Sequence, residues 1–295
     1  MTTHIPLIKG TRFCHINRPE WGIGQLLEDG NSETLHLFFE NKGEINMAGS
    51  ASDKLMAVTG ANALSTLLDN LYLPGPGKSR PMVTISQAKL RLQERFPGGL
   101  HGPKMKGLER DYKDAMRNLT LQWYIHPDLG AMLQNGLHAG VVELAHRLVK
   151  LSTNNFPSHF EKMAFGNGIK NHTRQREFAE AFCAWVLPEK ATQFAFEAFA
   201  NELDHLGAAK WPILTVYRFL LHPQTDVLIK PENLRNAAEV ARFEINYRSE
   251  LNWTTYHSVV AFYQHIRTAI ADLDPKDNID VQNFIWCIDP DQYPA

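Results

Sequence analysis

Hydrophobic positions follow two different periods along this chain, and the change falls near residue 50. Thr11–His15 alternates around Phe13, Ile23–Leu27 alternates across Gly24 and Gln25, and Leu35–Phe39 is an apolar run after the turn-forming Asp29-Gly30-Asn31. Period-two alternation of this length predicts half-buried strands. Gly22 and Gly24 flank Ile23, where a missing Cβ permits a bent or bulged strand. Residues 1–50 therefore read as a small β-barrel, too short to build a large core alone.

Residues 51–80 read as a linker with a short helix at Ala63–Leu71, closed by Leu73-Pro74-Gly75-Pro76-Gly77-Lys78-Ser79. Neither proline nor glycine propagates a helix. From Thr84 onward the apolar period becomes helical. Thr84 and Gln87 have the spacing of a capping box, Ile85, Ala88, Leu92 and Phe96 mark a buried stripe, and Pro97-Gly98-Gly99 ends the element. Further helices are expected near 108–124, 130–151, 174–187, 189–206, 212–221, 232–246, 252–272 and 277–287, with Pro188, Pro212 and Pro231 at helix starts. The fold class is mainly α, with a small N-terminal β-barrel joined to a compact multi-helix domain over 81–295.

Composition narrows this modestly. With 295 residues, 44% hydrophobic content and a net charge of −2, the chain can bury a large core and carries no global attraction for nucleic acid or anionic membrane. Cys14, Cys183 and Cys287 are few, odd in number and far apart, so a reducing, cytoplasmic setting is expected rather than a disulfide framework. No apolar run approaches the ~20 residues of a membrane-spanning helix, and the polar start is unlike a signal peptide.

Pro19-Glu20-Trp21-Gly22-Ile23-Gly24-Gln25-Leu26, preceded by Gly10-Thr11-Arg12-Phe13 and followed by Leu37-Phe38-Phe39-Glu40 and Gly43, resembles the Tudor-like or SH3-like module at the C-terminus of some bacterial DNA-repair helicases. More distantly it is similar to the RNA-polymerase-interacting domain of bacterial transcription-coupling and CarD-type factors. The resemblance covers about a sixth of the chain and implies a protein-binding surface at Trp21, Phe38 and Phe39, with RNA polymerase as partner. Trp21 has a second reading, as filler of a small core. Residues 1–47 sum to minus two, which favours a protein partner over DNA at this module. Segments around Lys230-Pro231-Glu232, Asn252-Trp253-Thr254-Thr255-Tyr256 and Asp277–Trp286 resemble uncharacterised bacterial proteins and imply no activity.

Candidate chemistry is sparse. Residues 78–117 hold ten basic residues against four acids, so Lys78, Arg80, Lys104, Lys106, Arg110 and Lys113 are candidate contacts to DNA or RNA. The alternative is pairing with the acidic tail, where six aspartates from Asp272 to Asp291 face only Lys276. The GPGKS text lacks phosphate-loop spacing. Asp111 and Lys113 have the spacing of a nuclease acid–lysine pair, but on a helix such residues point apart. Thirteen histidines form no ligand pattern, and neither metal nor cofactor is expected. Trp253, Tyr256 and Trp286 are expected to cluster, as a helix seam or, with Lys230, as a base-stacking platform.

These readings point to a cytoplasmic binding or adaptor protein associated with transcription or DNA repair, and away from an enzyme. Two alternatives stand beside it. An enzyme would gather Glu109, Asp111, Tyr112 or Tyr256 in a polar cavity. A structural subunit of a phage-defence or other complex would expose a large apolar patch.

Overall fold

The structure is a computed structural model and describes residues 7–31, 33–75, 80–124, 128–152, 156–170 and 172–292. The chain forms two compact units. One comprises Met1–Leu90 with Ala238–Glu244, the other Arg91–Ala237 with Ile245–Ala295.

The first unit is built on strands β1 (Arg12–His15), β2 (Ile23–Leu26), β3 (Thr34–Phe39), β4 (Gly43–Ala48) and β5 (Leu55–Ala57). All pairings are antiparallel, in the order β4-β3-β2-β1-β5. Phe13, Leu26, Leu35, Leu37, Phe39 and Leu55 form the core of one sheet face, with Trp21 packed at its margin. Gly24 sits between Phe13 and Phe39 in the register, and a Cβ there would lie 2.7 Å from both rings. Its hydrogen therefore lets the two rings meet edge to face, with centroids 5.4 Å apart.

This sheet is open, which corrects the expected barrel. Closure requires the edge strands to pair, and β4 and β5 do not pair with each other. After Ala48 the chain turns through Gly49–Lys54, and the three-residue β5 has β1 as its partner. The rest of the unit draws on two distant stretches. Helix α1 (Thr66–Asp69) is capped by Ser65, whose side chain accepts from the Leu68 N–H. Beyond it, Leu71 bridges Phe243, Tyr72 N–H donates to the Arg242 carbonyl at 2.9 Å, and Val83 N–H donates to the Val240 carbonyl at 2.8 Å. Helix α2 (Ile85–Arg95) starts at the expected reciprocal cap: Gln87 N–H donates to Thr84 Oγ1 and Thr84 N–H to Gln87 Oε1.

In the second unit a short α3 (Pro103–Met105) runs through a π-helical turn, Lys106–Arg110, into α4 (Asp111–Tyr124). Then follow α5 (Leu129–Gln134), α6 (His138–Leu151), α7 (His159–Lys170), α8 (Gln175–Val186), α9 (Gln193–His205), α10 (Trp211–Leu221), α11 (Pro231–Val240), α12 (Trp253–Ala269) and α13 (Asn278–Ile288). Every residue of α10 is buried, as expected of a helix that is apolar on all sides. It packs on α4, α7, α8 and α9 through a ring cluster in which Tyr217 meets Phe182 at 4.9 Å.

Pro212 and Pro231 lie in the first turns of α10 and α11, whereas Pro188 falls between α8 and α9, and α9 begins at the Thr192 cap. The expected helix over 130–151 is interrupted around Gly136, whose φ is +71°. Helix α7 was not among the expected elements. It contains Gly168, where a Cβ would lie 2.3 Å from the Leu206 carbonyl oxygen.

Candidate functional site

The helical unit encloses a cavity of about 330 Å³ lined by Leu108, Glu109, Tyr112, Lys113, Phe156, Lys230, Asn233, Gln282 and Trp286. Its size falls at the lower end for small-molecule sites. Four chain segments build it: the π-helical turn with α4, the loop before α7, the start of α11, and one face of α13. Irregular helical turns of this kind recur at functional sites.

Lys113 is 1% exposed, and its ammonium donates to Gln282 Oε1 at 2.6 Å, Asn283 Oδ1 at 2.5 Å and Glu109 Oε2 at 3.3 Å. All three of its protons are placed. Burial pushes its pKa down to about 8, against the attraction of Glu109 and with help from the charges of Lys230 and Arg110. Asn283 spends its oxygen on Lys113, and its buried Nδ2 has no hydrogen-bond partner among the described residues. Tyr112 shares the cavity wall, its hydroxyl pKa raised by burial and by Glu109. Its ring meets Phe156 edge to face at 6.1 Å and lies 5.2 Å from the Lys113 ammonium.

Lys230 is the other cation on the wall. It is partly buried, and burial lowers its pKa despite the charges of Glu109 and Glu161. Among the described residues no side chain forms an ion pair or hydrogen bond with its ammonium. Glu161 is engaged in the cap of α7, where it accepts from the Ser158 N–H at 2.8 Å. Lys230 also precedes Pro231 and Asn233 in the first turn of α11, where the helix dipole adds positive potential.

Arg110 fixes the end of α13 beside this cavity. It donates to both Asp277 oxygens at 2.7 and 2.8 Å, to Asp280 at 2.9 Å and to Asp114 at 2.9 Å. Burial opposes its charge, but the hydrogen bonds it donates to Asp277 and Asp114, with the charges of Asp280 and Asp277, more than compensate and raise its pKa. Asp277 in turn caps α13 by accepting from the Ile279 and Asp280 N–H groups. Arg110 of the basic stretch thus pairs with Asp277 and Asp280 of the acidic tail, and both aspartates, like Lys113, are buried rather than solvated.

The other sequence candidates are dispersed. Lys104 donates to the Arg95 carbonyl and lies over Phe96, Lys106 is exposed, and the Arg80 backbone carbonyl accepts from Arg242. Lys78 lies outside the described residues. Phe38 and Phe39 are fully buried, whereas Trp21 packs on His15 and Phe39 and stays partly exposed. Glu109 and Tyr112 do share a cavity, while Asp111 is exposed outside it. Trp253 and Tyr256 pair at 5.2 Å, but Trp286 lines the Lys113 cavity instead. Phe156 and Asn233 were missed, and neither lies in a pattern that marks a site.

A second cavity, about 470 Å³, is lined in part by Asp226, Trp253, Tyr256 and His257. Its carboxylate is fully engaged. Asp226 accepts from Arg218 at 2.5 and 3.0 Å, from Tyr256 at 2.5 Å and from Thr225 at 2.8 Å. Four donors on two oxygens leave no lone pair for proton transfer, so this network reads as a lock between helices.

No protein-family model, curated protein or solved structure matches the chain. The open sheet corrects the expected Tudor-like or SH3-like barrel, and with no family match the RNA-polymerase reading attached to it and the DNA-binding reading placed on residues 78–117 find no support and are set aside. Among the described residues, no helix is long and apolar enough to cross a membrane.

Proposed function

We propose that the helical unit binds a small organic anion in the cavity between the π-helical turn, α11 and α13. The observation that carries this is Lys230: a partly desolvated ammonium on a cavity wall with no ion-pair partner among the described residues. A desolvated cation is costly unless an anion compensates it. Lys113 and Glu109 neutralise each other beside it, so the net demand of the wall is for one negative group. Asn233, in the first turn of α11, stands where it can donate to that group.

Thermal denaturation of the full chain with a panel of small carboxylates and phosphates tests this. Stabilisation by a subset, lost in Lys230→Gln, is the expected result, since a ligand at a hundred times its Kd contributes about 2.7 kcal/mol. Equal stabilisation of wild type and Lys230→Gln, or none in either, overturns the reading.

A further inference from the structure

We infer that the anion this cavity takes has a flat aromatic body, an inference that rests on the anion reading above and narrows it to a ligand class. Three rings from separate segments share the wall: Tyr112 on α4, Phe156 before α7, and Trp286 on α13. Tyr112 and Phe156 stand at 79° to one another, which makes a corner of one ring face and one ring edge. A planar ligand can lie against the face and receive the edge in that corner, the two arrangements aromatic pairs favour.

Trp286 is placed to extend this surface. It lies one helical turn beyond Gln282, on the same face of α13, and Gln282 is tied to Lys113 at 2.6 Å. The helical turn that carries the indole is therefore held by a buried, hydrogen-bonded anchor. Lys230 supplies the charge for the ligand's head, and the rings supply the bed for its body. A saturated body would fill the same volume but gain only its buried area.

The closing experiment crosses the two properties. Benzoate, benzamide, cyclohexanecarboxylate and cyclohexanecarboxamide are titrated to millimolar concentration into the full chain, with binding followed by ligand-observed NMR and calorimetry. Phenyl phosphate and cyclohexyl phosphate repeat the ring comparison with a phosphate head. Benzoate or phenyl phosphate should bind about tenfold more tightly than its saturated counterpart. Trp286→Leu should abolish that ratio while leaving the preference for charged over neutral probes.

Equal affinity of aromatic and saturated anions overturns the ring inference and leaves the anion reading intact. Equal affinity of benzoate and benzamide overturns the anion reading and leaves the ring preference. No binding by any of the six overturns both.

Discussion

Gly168 offers a sharply defined perturbation, because Gly166 in the same helix provides its control. Glycine to alanine inside a helix gains roughly 1 kcal/mol from propensity alone. At Gly166 the new Cβ would stand 3.2 Å from His146 Nε2, a side-chain atom that can yield. At Gly168 it would stand 2.3 Å from the Leu206 carbonyl oxygen and 2.8 Å from the Leu206 Cβ, and the backbone there follows directly on α9. Relieving the clash means moving α7 and the Leu206 backbone apart by close to an ångström, an overpacking strain of about 1–3 kcal/mol or more. Gly166→Ala should therefore be neutral to slightly stabilising. Gly168→Ala should be less stable than Gly166→Ala by ~3 kcal/mol, or about 6–12 °C for a unit of this size. Tryptophan fluorescence is a suitable readout, since five of the six tryptophans lie in the helical unit and only Trp21 in the other. Equal melting temperatures for the two variants would refute the close approach of α7 to Leu206.

Lys113 makes stability depend on pH with a definite sign. Its pKa falls from 10.5 to about 8 on folding, so between those values the unfolded chain holds the extra proton. The unfavourable contribution is complete below about 8 and fades as pH rises toward 10.5, worth ~3 kcal/mol at ~1.4 kcal/mol per unit. Wild type should gain stability relative to Lys113→Met across that window in urea unfolding, and a flat difference would contradict a buried ammonium. Arg218 donates to Asp226 and to the carbonyls of Trp185, Pro188 and Glu189, all while 1% exposed. Arg218→Met should cost about 4 kcal/mol by leaving Asp226 charged and underpaired, and adding Asp226→Asn should recover part of it. A loss under about 1 kcal/mol in calorimetry would show that the lock is dispensable.

Local patterns in the chain carried the elements well where local physics decides. The Thr84–Gln87 cap, the Ala88, Leu92 and Phe96 stripe, and three strands of the sheet follow from short-range periodicity. Helix α7 escaped because Gly166 and Gly168 weaken its propensity, and the reason for Gly168 lies in Leu206, some forty residues away. Sheet closure escaped because it depends on whether two edge strands meet, which alternation within each strand does not encode. The cavity was half visible: Glu109, Tyr112, Lys230 and Trp286 were all noticed, but in separate contexts. Charged residues such as Lys113 read as surface until Gln282 and Asn283, about 170 positions later, arrive to satisfy them.

The pairing of Leu71 and Tyr72 with Arg242 and Phe243 has a consequence for how this protein is made and cut. The sheet-bearing unit is written at two addresses, and its second instalment leaves the ribosome only after the stretch from Arg91 to Ala237 has been translated. Until then Asn70, Tyr72 and Val83 lack their backbone partners. A fragment ending at residue 90 would therefore be an unfinished unit rather than an isolated module, and a permuted chain that brings residues 238–244 next to residue 90 would be the rational way to obtain it alone.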